Sequence, residues 1–345
     1  MKNRIDLSKY DIRTDLLIES VSSDNKDIIV EKVSDSVKVT TINVNTLLAS
    51  NLDRKIGTYI TIEYEDITNY EDRVAVTDCL SLQIKKILNN LNVKDNSSFF
   101  VVGLGNREST ADSLGPKVID KVMVTRHLYL LNTNVKEGIR CVSAISPNVM
   151  ANTGIESLDI IKGIVNSVKP DYLIVIDSLA SLSIDRLNKT IQITDTGINP
   201  GSGIGNNRKE ISRDTLGIPV IAIGVPTVMY SSIIVNDTIN YIFKHISYIK
   251  NNYNMNKLIF NRNNYYKKIK DNDLSNEEKE SVSGIIGTLS EEDKFSLISE
   301  VLDNLNYNLV VASKEIDFLI SKLSLVISNA INHTLHKCVV DSNVN

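Results

Sequence analysis

Residues 98–105 read SFFVVGLG and residues 172–177 read YLIVID, two apolar runs that end in glycine and in an acid. Both are apolar throughout, which is typical of strands buried on both faces of a sheet. The segments 141–145 and 219–224 have the same character, and helical patterns of about 12 residues lie between such runs. This alternation predicts an α/β fold, with a mostly parallel central sheet covered by helices on both faces.

The flanking sequence adds an N-terminal strand pair and C-terminal helices to this sheet. Residues 37–44 and 56–64 alternate and are rich in β-branched side chains, so they predict paired strands, and residues 190–194 predict an edge strand. Helical spacing predicts helices at residues 72–91, 112–125, 155–168, 237–249, 290–305 and 316–336. Residues 251–281 are rich in Asn, Lys, Asp and Tyr with little period, which indicates an exposed polar insertion.

Composition excludes several classes of protein. The chain has 345 residues, 42% apolar and 23% charged, as in soluble globular proteins and unlike disordered or coiled-coil chains. A net charge of −4 argues against nucleic acid as a direct partner, and no apolar run is long enough to span a membrane. Cys79, Cys141 and Cys338 are widely spaced, which fits a reducing, cytoplasmic compartment rather than a disulfide framework.

Two aspartates are the first candidates for catalysis. In covered α/β sheets, reactive side chains gather outside the carboxyl ends of the strands, which brings together residues 103–112, 177–181 and 224–227. Asp112 and Asp177 at this edge could share a proton and activate a water, or could hold a divalent metal. The alternative for Asp112 is a helix cap.

A glycine-rich segment, TDTGINPGSGIGN at residues 194–206, is the densest polar cluster in the chain. Its glycines allow close approach of another backbone, so we expect a loop that lines a binding cleft, with Thr194, Asp195 and Ser202 as cleft residues. The alternative is a structural Ω-loop. No Gly-Lys-Ser/Thr motif supports a phosphate loop.

His333, His336 and Cys338 have a spacing that could hold zinc, although they lie near the chain end with no second half-site. A solvated terminal turn is the favoured interpretation of this cluster. No cofactor is predicted, and a divalent metal remains the open alternative.

Several long motifs occur together in order along the chain. They are FFVVGLGN, ADSLGPKV, VTRHL, VSAISPNVMANTGIES, IVIDSLAS, QITDTGINPGSGIGNNRKEIS and LGIPVIAIGVPTV, framed by DLSKYDIRTDL and INHTLHKCV. With these motifs the chain resembles the germination protease family of spore-forming bacteria. The resemblance covers nearly the whole chain except residues 251–281.

The resemblance implies an endopeptidase that degrades small acid-soluble spore proteins during germination. It further implies an inactive precursor in the spore core that removes its own N-terminal segment, an active homotetramer, and a fold similar to hydrogenase-maturation endopeptidases. The alternatives are a catalytically decayed spore scaffold protein and another hydrolase on an open α/β sheet.

The motifs also imply roles for single residues. They place the family's two acidic catalytic residues on Asp112 and Asp177, the pair that the sheet edge already indicated. They place self-cleavage between Asp15 and Leu16, so we expect a pro-segment at 1–15 and a single α/β protease domain at 16–345.

A site that prefers an acid before the cut should present a positive charge. Arg126, Arg208 and Lys209 adjoin motifs near the predicted cleft, with ordinary solvated surface as the alternative for each. Two positions depart from the family's pattern: Asn199, where a His is frequent, and Tyr230, close to where an Asp is usual. Both departures weaken a metal role more than they weaken the protease assignment.

Overall fold

The computed structural model describes residues 14–21, 28–52, 54–131, 135–201, 208–251, 274–304 and 309–337. The strands are β1 Ile28–Lys32, β2 Val37–Val44, β3 Gly57–Tyr64, β4 Phe99–Gly103, β5 Val142–Ile145, β6 Tyr172–Ser181, β7 Thr190–Thr194, β8 Val220–Tyr230 and β9 Val310–Val311. The helices are α1 Leu17–Ser20, α2 Thr46–Leu52, α3 Tyr70–Asn90, α4 Leu114–Ile119, α5 Arg126–Leu130, α6 Met150–Thr153, α7 Ser157–Val168, α8 Arg213–Leu216, α9 Ser231–Asn251, α10 Asn276–Ser283, α11 Ile285–Thr288, α12 Glu291–Asn304 and α13 Ile316–Leu335.

Contacts divide the chain into two compact units. The larger unit comprises residues 13–181, 185–228 and 312–345, and the smaller comprises residues 1–12, 182–184 and 229–311. The larger unit holds strands β1–β7, most of β8, and helices α1–α8 and α13. The smaller holds α9–α12 and β9. The predicted pro-segment boundary and single domain stay predictions, and residues 1–13 lie outside the described residues.

The polar insertion predicted at 251–281 falls in the smaller unit. Residues 252–273 lie outside the described residues, whereas α10 occupies most of the remainder. Ser275 caps this helix. Its side chain accepts a hydrogen bond from the Glu278 N–H, and the Glu278 carboxylate accepts one from the Ser275 N–H. The last part of the insertion is therefore regular structure, because a reciprocal capping box satisfies its first backbone groups.

The sheet of the larger unit runs in the order β1-β2-β3-β7-β8-β6-β4-β5. Strands β5 and β6 both pair with β4 in parallel, whereas the successive pairs from β1 to β8 by way of β7 are antiparallel. The predicted α/β class is confirmed, with one correction: the sheet is mixed, with parallel pairs on both sides of β4 and antiparallel pairs from β1 to β8 by way of β7. The N-terminal strand pair extends this same sheet because β7 joins it to β8.

The segment predicted as an edge strand, β7, lies in the interior of the sheet between β3 and β8. Ile191 and Ile193 are fully buried on one of its faces, and Gln192 and Thr194 are also buried on the other. The prediction of an edge strand is therefore wrong, and the polar face of this interior strand is covered in part by the chain itself, since Gln192 is hydrogen bonded to Asp15 and Leu17.

Helices cover both faces of the parallel region, as predicted. Phe99 and Val101 of β4 pack with α3, α4 and α13, whereas Phe100 and Val102 pack with α7 on the opposite face. Successive strand residues point to opposite faces, so a doubly covered strand must be apolar at every position. Complete burial of a side chain of this size contributes about 1.5–3 kcal/mol.

The helix predicted at 112–125 is broken into pieces. Residues 110–112 form a single 3₁₀ turn, α4 covers only Leu114–Ile119, and α5 begins at Arg126. A Cβ on Gly115 would lie 2.2 Å from the Leu104 carbonyl oxygen, so α4 packs directly against the end of β4. Within the described ranges, no helix is both long and apolar enough to cross a membrane.

Candidate active site

Asp177 lies on β6 just beyond the point where the neighbouring parallel strand, β4, ends. Strand β4 ends at Gly103, which is paired with Ile176, whereas β6 continues to Ser181. Asp177 therefore follows the carboxyl end of β4 but lies inside β6, which corrects the prediction that it ends its own strand. The residue is 5% exposed, and its carboxylate accepts a hydrogen bond from the Ser178 N–H at 2.9 Å.

Asp112 closes the turn that follows β4. Its Oδ2 atom accepts from the Asn106 N–H at 2.9 Å, and it does not cap α4, whose N-cap is Ser113. Gly105 has a φ of +108°, and a Cβ there would lie 2.0 Å from the Asp112 carbonyl oxygen. The turn folds back onto β4 only because residue 105 has no side chain.

The two carboxyl groups interact electrostatically. Burial raises the pKa of Asp177 well above its usual range, and the negative charges of Asp112 and Asp15 raise it further, against the Ser178 N–H and the positive charge of Arg208. Burial also raises the pKa of Asp112, against the Asn106 N–H and Arg208. The environment therefore favours a proton on Asp177, with Asp112 as the carboxylate more readily ionised.

The peptide bond between Asp15 and Leu16 is held against the strand that carries Asp177. The Asp15 N–H donates to the Ala180 carbonyl at 3.4 Å, and the Ala180 N–H donates to Asp15 Oδ2 at 2.9 Å. Ala180 is three residues beyond Asp177 on β6, so residue 15 is bound to the strand that carries Asp177. Leu16 is completely buried.

Gln192 of β7 contacts the same bond from the other side. Its Nε2 donates to the Asp15 carbonyl oxygen at 2.9 Å, and its Oε1 accepts from the Leu17 N–H at 2.8 Å. The guanidinium group of Arg54 donates to the carbonyl of Thr14, the preceding residue. Backbone groups on both sides of the Asp15–Leu16 bond are thus held by this chain's own side chains.

Glu19 anchors the segment downstream of the bond. Its carboxylate accepts from Ser181 Oγ at 2.8 Å and from Thr14 Oγ1 at 2.5 Å, with an Arg186 guanidinium nitrogen 3.7 Å away. The Glu19 side chain is only 1% exposed, so its charge is neutralised within the protein.

A cavity of about 310 Å³ adjoins the bond. Asp15 and Gln192 line it together with Arg54, Tyr59, Thr194 and Asn199, whereas Asp112 and Asp177 are not among its lining residues. The cavity offers space beside a peptide bond whose carbonyl is already hydrogen bonded.

Comparison with known proteins identifies the family to which this arrangement belongs. The family model described as germination protease matches residues 10–345. The chain belongs to the germination protease family. Germination proteases of Priestia megaterium, Bacillus subtilis and a Geobacillus species are 42%, 41% and 42% identical to it, each across 99% of this chain and 98% of the relative.

The predicted family is therefore confirmed, and the chain is an endopeptidase. A solved hydrogenase maturation protease, HycI from Thermococcus kodakarensis KOD1, is similar over 42% of this chain and 80% of its own, with 13% identity and a TM-score of 0.26. A likeness this low carries no argument about the site.

Of the predicted cationic residues, the structure brings only Arg208 to the acidic pair, where its charge acts on both carboxyl groups. Arg126 interacts instead with Cys141, which directly precedes β5 at the amino ends of the parallel strands. The chain returns through α5 to the start of β5, and the predicted binding role of Arg126 stays a prediction. Lys209 forms an ion pair with Asp159 at 3.1 Å.

The predicted cleft residues of the glycine-rich segment have separate positions. Asp195 Oδ1 accepts from the Thr58 N–H at 2.8 Å, so its carboxylate ties the end of β7 to β3, and its binding role stays a prediction. Ser202 lies outside the described residues. Asn199 lines the cavity, whereas Tyr230 belongs to the smaller unit.

Both ring nitrogens of His336 are hydrogen bonded to backbone groups of the protein. The Arg140 N–H donates to its Nδ1 at 3.3 Å, its Nε2 lies 3.2 Å from the Met123 carbonyl oxygen, and burial lowers its pKa. Cys338 lies outside the described residues. In the described part of the chain, no group of three or more His, Cys, Asp or Glu side chains is arranged to hold a metal.

Sequence reasoning missed Gln192, Ala180 and Arg54. The sequence did contain a signal for Gln192, since this polar amide stands between the apolar residues Ile191 and Ile193 of a buried strand. Ala180 acts through its backbone, and Arg54 approaches Thr14 from a distant segment, so neither had a local signal.

Proposed function

We propose that this chain is a precursor that cuts itself between Asp15 and Leu16. The processed enzyme would then cleave small acid-soluble spore proteins after an acidic residue during germination. Asp112 and Asp177 act as the catalytic pair in both reactions. The proposed homotetramer and the spore-core location rest on the family alone.

One observation carries this proposal: the Asp15–Leu16 bond is held against the strand of Asp177. Asp15 exchanges hydrogen bonds with Ala180, and its charge contributes to the raised pKa of Asp177. An acid is thus bound to the strand of Asp177 and acts electrostatically on that carboxyl group, and the apolar residue that follows it, Leu16, has an extended backbone. That geometry supports a substrate bound in cis.

The two environments support different roles for the carboxyl groups. Asp112 in its ionised form takes a proton from water, whose oxygen attacks the Asp15 carbonyl carbon. Asp177, whose environment favours the protonated form, gives its proton to the Leu16 nitrogen as the C–N bond breaks. A proton then returns from Asp112 to Asp177 and restores the starting state.

The preference for an acid before the cut has support in one hydrogen bond and one nearby positive charge. The Ala180 N–H donates to the Asp15 carboxylate at 2.9 Å, a charge-assisted hydrogen bond that a neutral apolar side chain cannot make. Arg208 supplies a positive charge near the pair. The same two features would receive the acidic residue of a spore protein after the N-terminal segment has left.

Self-processing of the full chain tests the proposal. Intact mass is followed with time for the wild type, for Asp177→Asn, and for the matched control Asp171→Asn at the exposed start of the same strand. We expect release of residues 1–15 from the wild type and the control only. Shortening of all three chains would point to a contaminating protease and remove the self-processing proposal.

The processed product is then mixed with a small acid-soluble spore protein, and the fragments are mapped by mass with and without a strong chelator. We expect cleavage after a Glu or Asp in both conditions. Cleavage abolished by the chelator would assign Asp112 and Asp177 to a divalent metal instead. No cleavage in either condition would favour the decayed scaffold.

A further inference from the structure

Gln192 is a buried amide in the middle of the sheet. Its backbone pairs with Thr61 of β3 and Gly224 of β8, and its neighbours Ile191 and Ile193 lie in the core on the other face. Its side chain is directed to the face that carries residues 14–17 and is 7% exposed in total. A side chain on an interior strand is held more rigidly than one on a loop.

The orientation of the Gln192 amide is fixed by its two partners. The Asp15 carbonyl oxygen can only accept and the Leu17 N–H can only donate, so Nε2 must face Asp15 and Oε1 must face Leu17. The amide spans the Asp15–Leu16 bond and holds the groups on either side of it. A single residue therefore pairs with the backbone much as a neighbouring strand would.

We infer that Gln192 is a further catalytic residue, which donates a hydrogen bond to the oxyanion formed from the carbonyl before the cut. Its Oε1 atom positions the N–H two residues after the bond. This inference rests on the proposed cleavage between Asp15 and Leu16, and it adds a group outside the aspartate pair.

The geometry is suited to this role. A donor stabilises a developing oxyanion when it lies about 2.7–3.1 Å from the position that the charged oxygen will occupy. Gln192 Nε2 is 2.9 Å from the Asp15 carbonyl oxygen before attack, so it already donates to the atom on which the charge develops. Gln192 is largely buried, and the lower local dielectric of a buried position strengthens the hydrogen bond to a charged oxygen. The cavity of about 310 Å³ reaches the same bond, since Asp15 and Gln192 both line it.

The electrons balance with this donor in place. The water oxygen forms a bond to the Asp15 carbonyl carbon, the carbonyl π pair moves onto its oxygen, and the Gln192 Nε2–H donates to that negative charge. When the C=O bond re-forms, the C–N bond breaks and the Leu16 nitrogen takes the proton from Asp177. Gln192 loses no proton, so it is regenerated without a further step.

Because the two contacts are made to backbone atoms, Gln192 would act on any substrate bound in this extended form. Its effect belongs to the rate of the chemical step rather than to the choice of side chain. This separates it from Ala180 and Arg208, which act on the acidic side chain before the cut or on the catalytic pair.

Self-cleavage of the full chain tests the inference. The rate of release of residues 1–15 is measured for the wild type, Gln192→Leu and Gln192→Glu, with Gln83→Leu as a matched loss of a buried amide on α3. Loss of one oxyanion donor lowers a rate by about 100- to 1000-fold. We expect that loss in both variants at position 192, and a rate within about threefold of the wild type in Gln83→Leu.

A pH series separates a donor from a packing residue. The carboxyl introduced by Gln192→Glu can donate only when it is protonated, so the rate of this variant relative to the wild type should rise as the pH falls. The same ratio for Gln192→Leu should stay constant with pH. Thermal unfolding of each variant shows whether it is folded at the assay temperature.

The outcomes are distinct. If the wild type is not cut between Asp15 and Leu16, the proposed function fails and this inference with it. If the wild type is cut there and Gln192→Leu is as fast as Gln83→Leu, Gln192 has no catalytic role and the proposed function stands. An equal loss in both variants with no pH dependence of either ratio assigns Gln192 to structure alone.

Discussion

Gly105→Ala should displace Asp112 and thereby inactivate the enzyme. Residue 105 has a φ of +108°, and its added Cβ would lie 2.0 Å from the Asp112 carbonyl oxygen and 2.8 Å from Asp112 Oδ1. Real Cβ atoms do not approach closer than 3.0 Å, so the backbone of Asp112 must move by about 1 Å.

The cost of this substitution has two parts. A non-glycine residue at positive φ costs about 1–2 kcal/mol, and relief of an overpacked contact costs about 1–3 kcal/mol. We therefore expect the free energy of unfolding to fall by about 2–5 kcal/mol. A displacement of about 1 Å at a reacting group lowers the rate by roughly 100-fold.

Gly154→Ala is the matched control, because it separates the backbone cost from the contact with Asp112. Gly154 has a φ of +70°, but a Cβ there would meet no atom within 4 Å. We expect it to lose only about 1–2 kcal/mol and to retain its rate of self-cleavage.

Denaturant unfolding and the rate of release of residues 1–15 are measured for both variants at a temperature where each is folded. A Gly105→Ala enzyme that cleaves as fast as Gly154→Ala would refute the argument that this turn positions Asp112 for catalysis. Equal losses of unfolding free energy in the two variants would show that the Cβ at residue 105 makes no costly contact with the Asp112 carbonyl oxygen.

Three further predictions concern charge and metal. Asp177→Asn should abolish cleavage. The variant should also be more stable than the wild type, by a margin that grows with pH above about 4. Because the pKa of Asp177 is raised in the fold, the protonated side chain stabilises the wild type at low pH, and this stabilisation is lost as the pH rises through the raised pKa. Calorimetry of both proteins across a pH series would check this. Arg208→Glu should raise the pKa of both carboxyl groups further and slow cleavage roughly tenfold, with Lys209→Glu as the neighbouring control; an unchanged rate would remove Arg208 from the site. A strong chelator should leave the rate of self-cleavage unchanged, and a loss restored by a divalent cation would contradict the carboxylate mechanism.

Much of the parallel region could be predicted from local sequence. The runs at residues 98–105 and 172–177 predicted strands covered on both faces, because a buried strand needs an apolar residue at every position. The prediction of an edge strand at residues 190–194 is wrong, because β7 lies between β3 and β8. Nothing local indicates that residues 14–17 cover part of the polar face of this strand.

The acidic pair could be predicted from the sequence, whereas the burial and the charges around it could not. Asp112 and Asp177 follow the ends of predicted elements, and the sheet rule placed them at one edge. Arg126, in contrast, follows a motif in sequence yet lies at the amino ends of the parallel strands. Proximity along the chain does not specify which end of the sheet a connecting segment reaches.

The α/β class, the family and the prediction of an acidic pair could all be obtained from the order of residues, because burial patterns and long motifs are properties of contiguous residues. The fold alone shows that Asp15 is hydrogen bonded to both Ala180 and Gln192 and that its charge acts on Asp177. Those contacts join residues more than 160 positions apart, and they depend on how strands β6 and β7 are arranged in the sheet. Hydrogen bonds to backbone atoms leave no mark on the residue types they join, so no sequence pattern could have specified them.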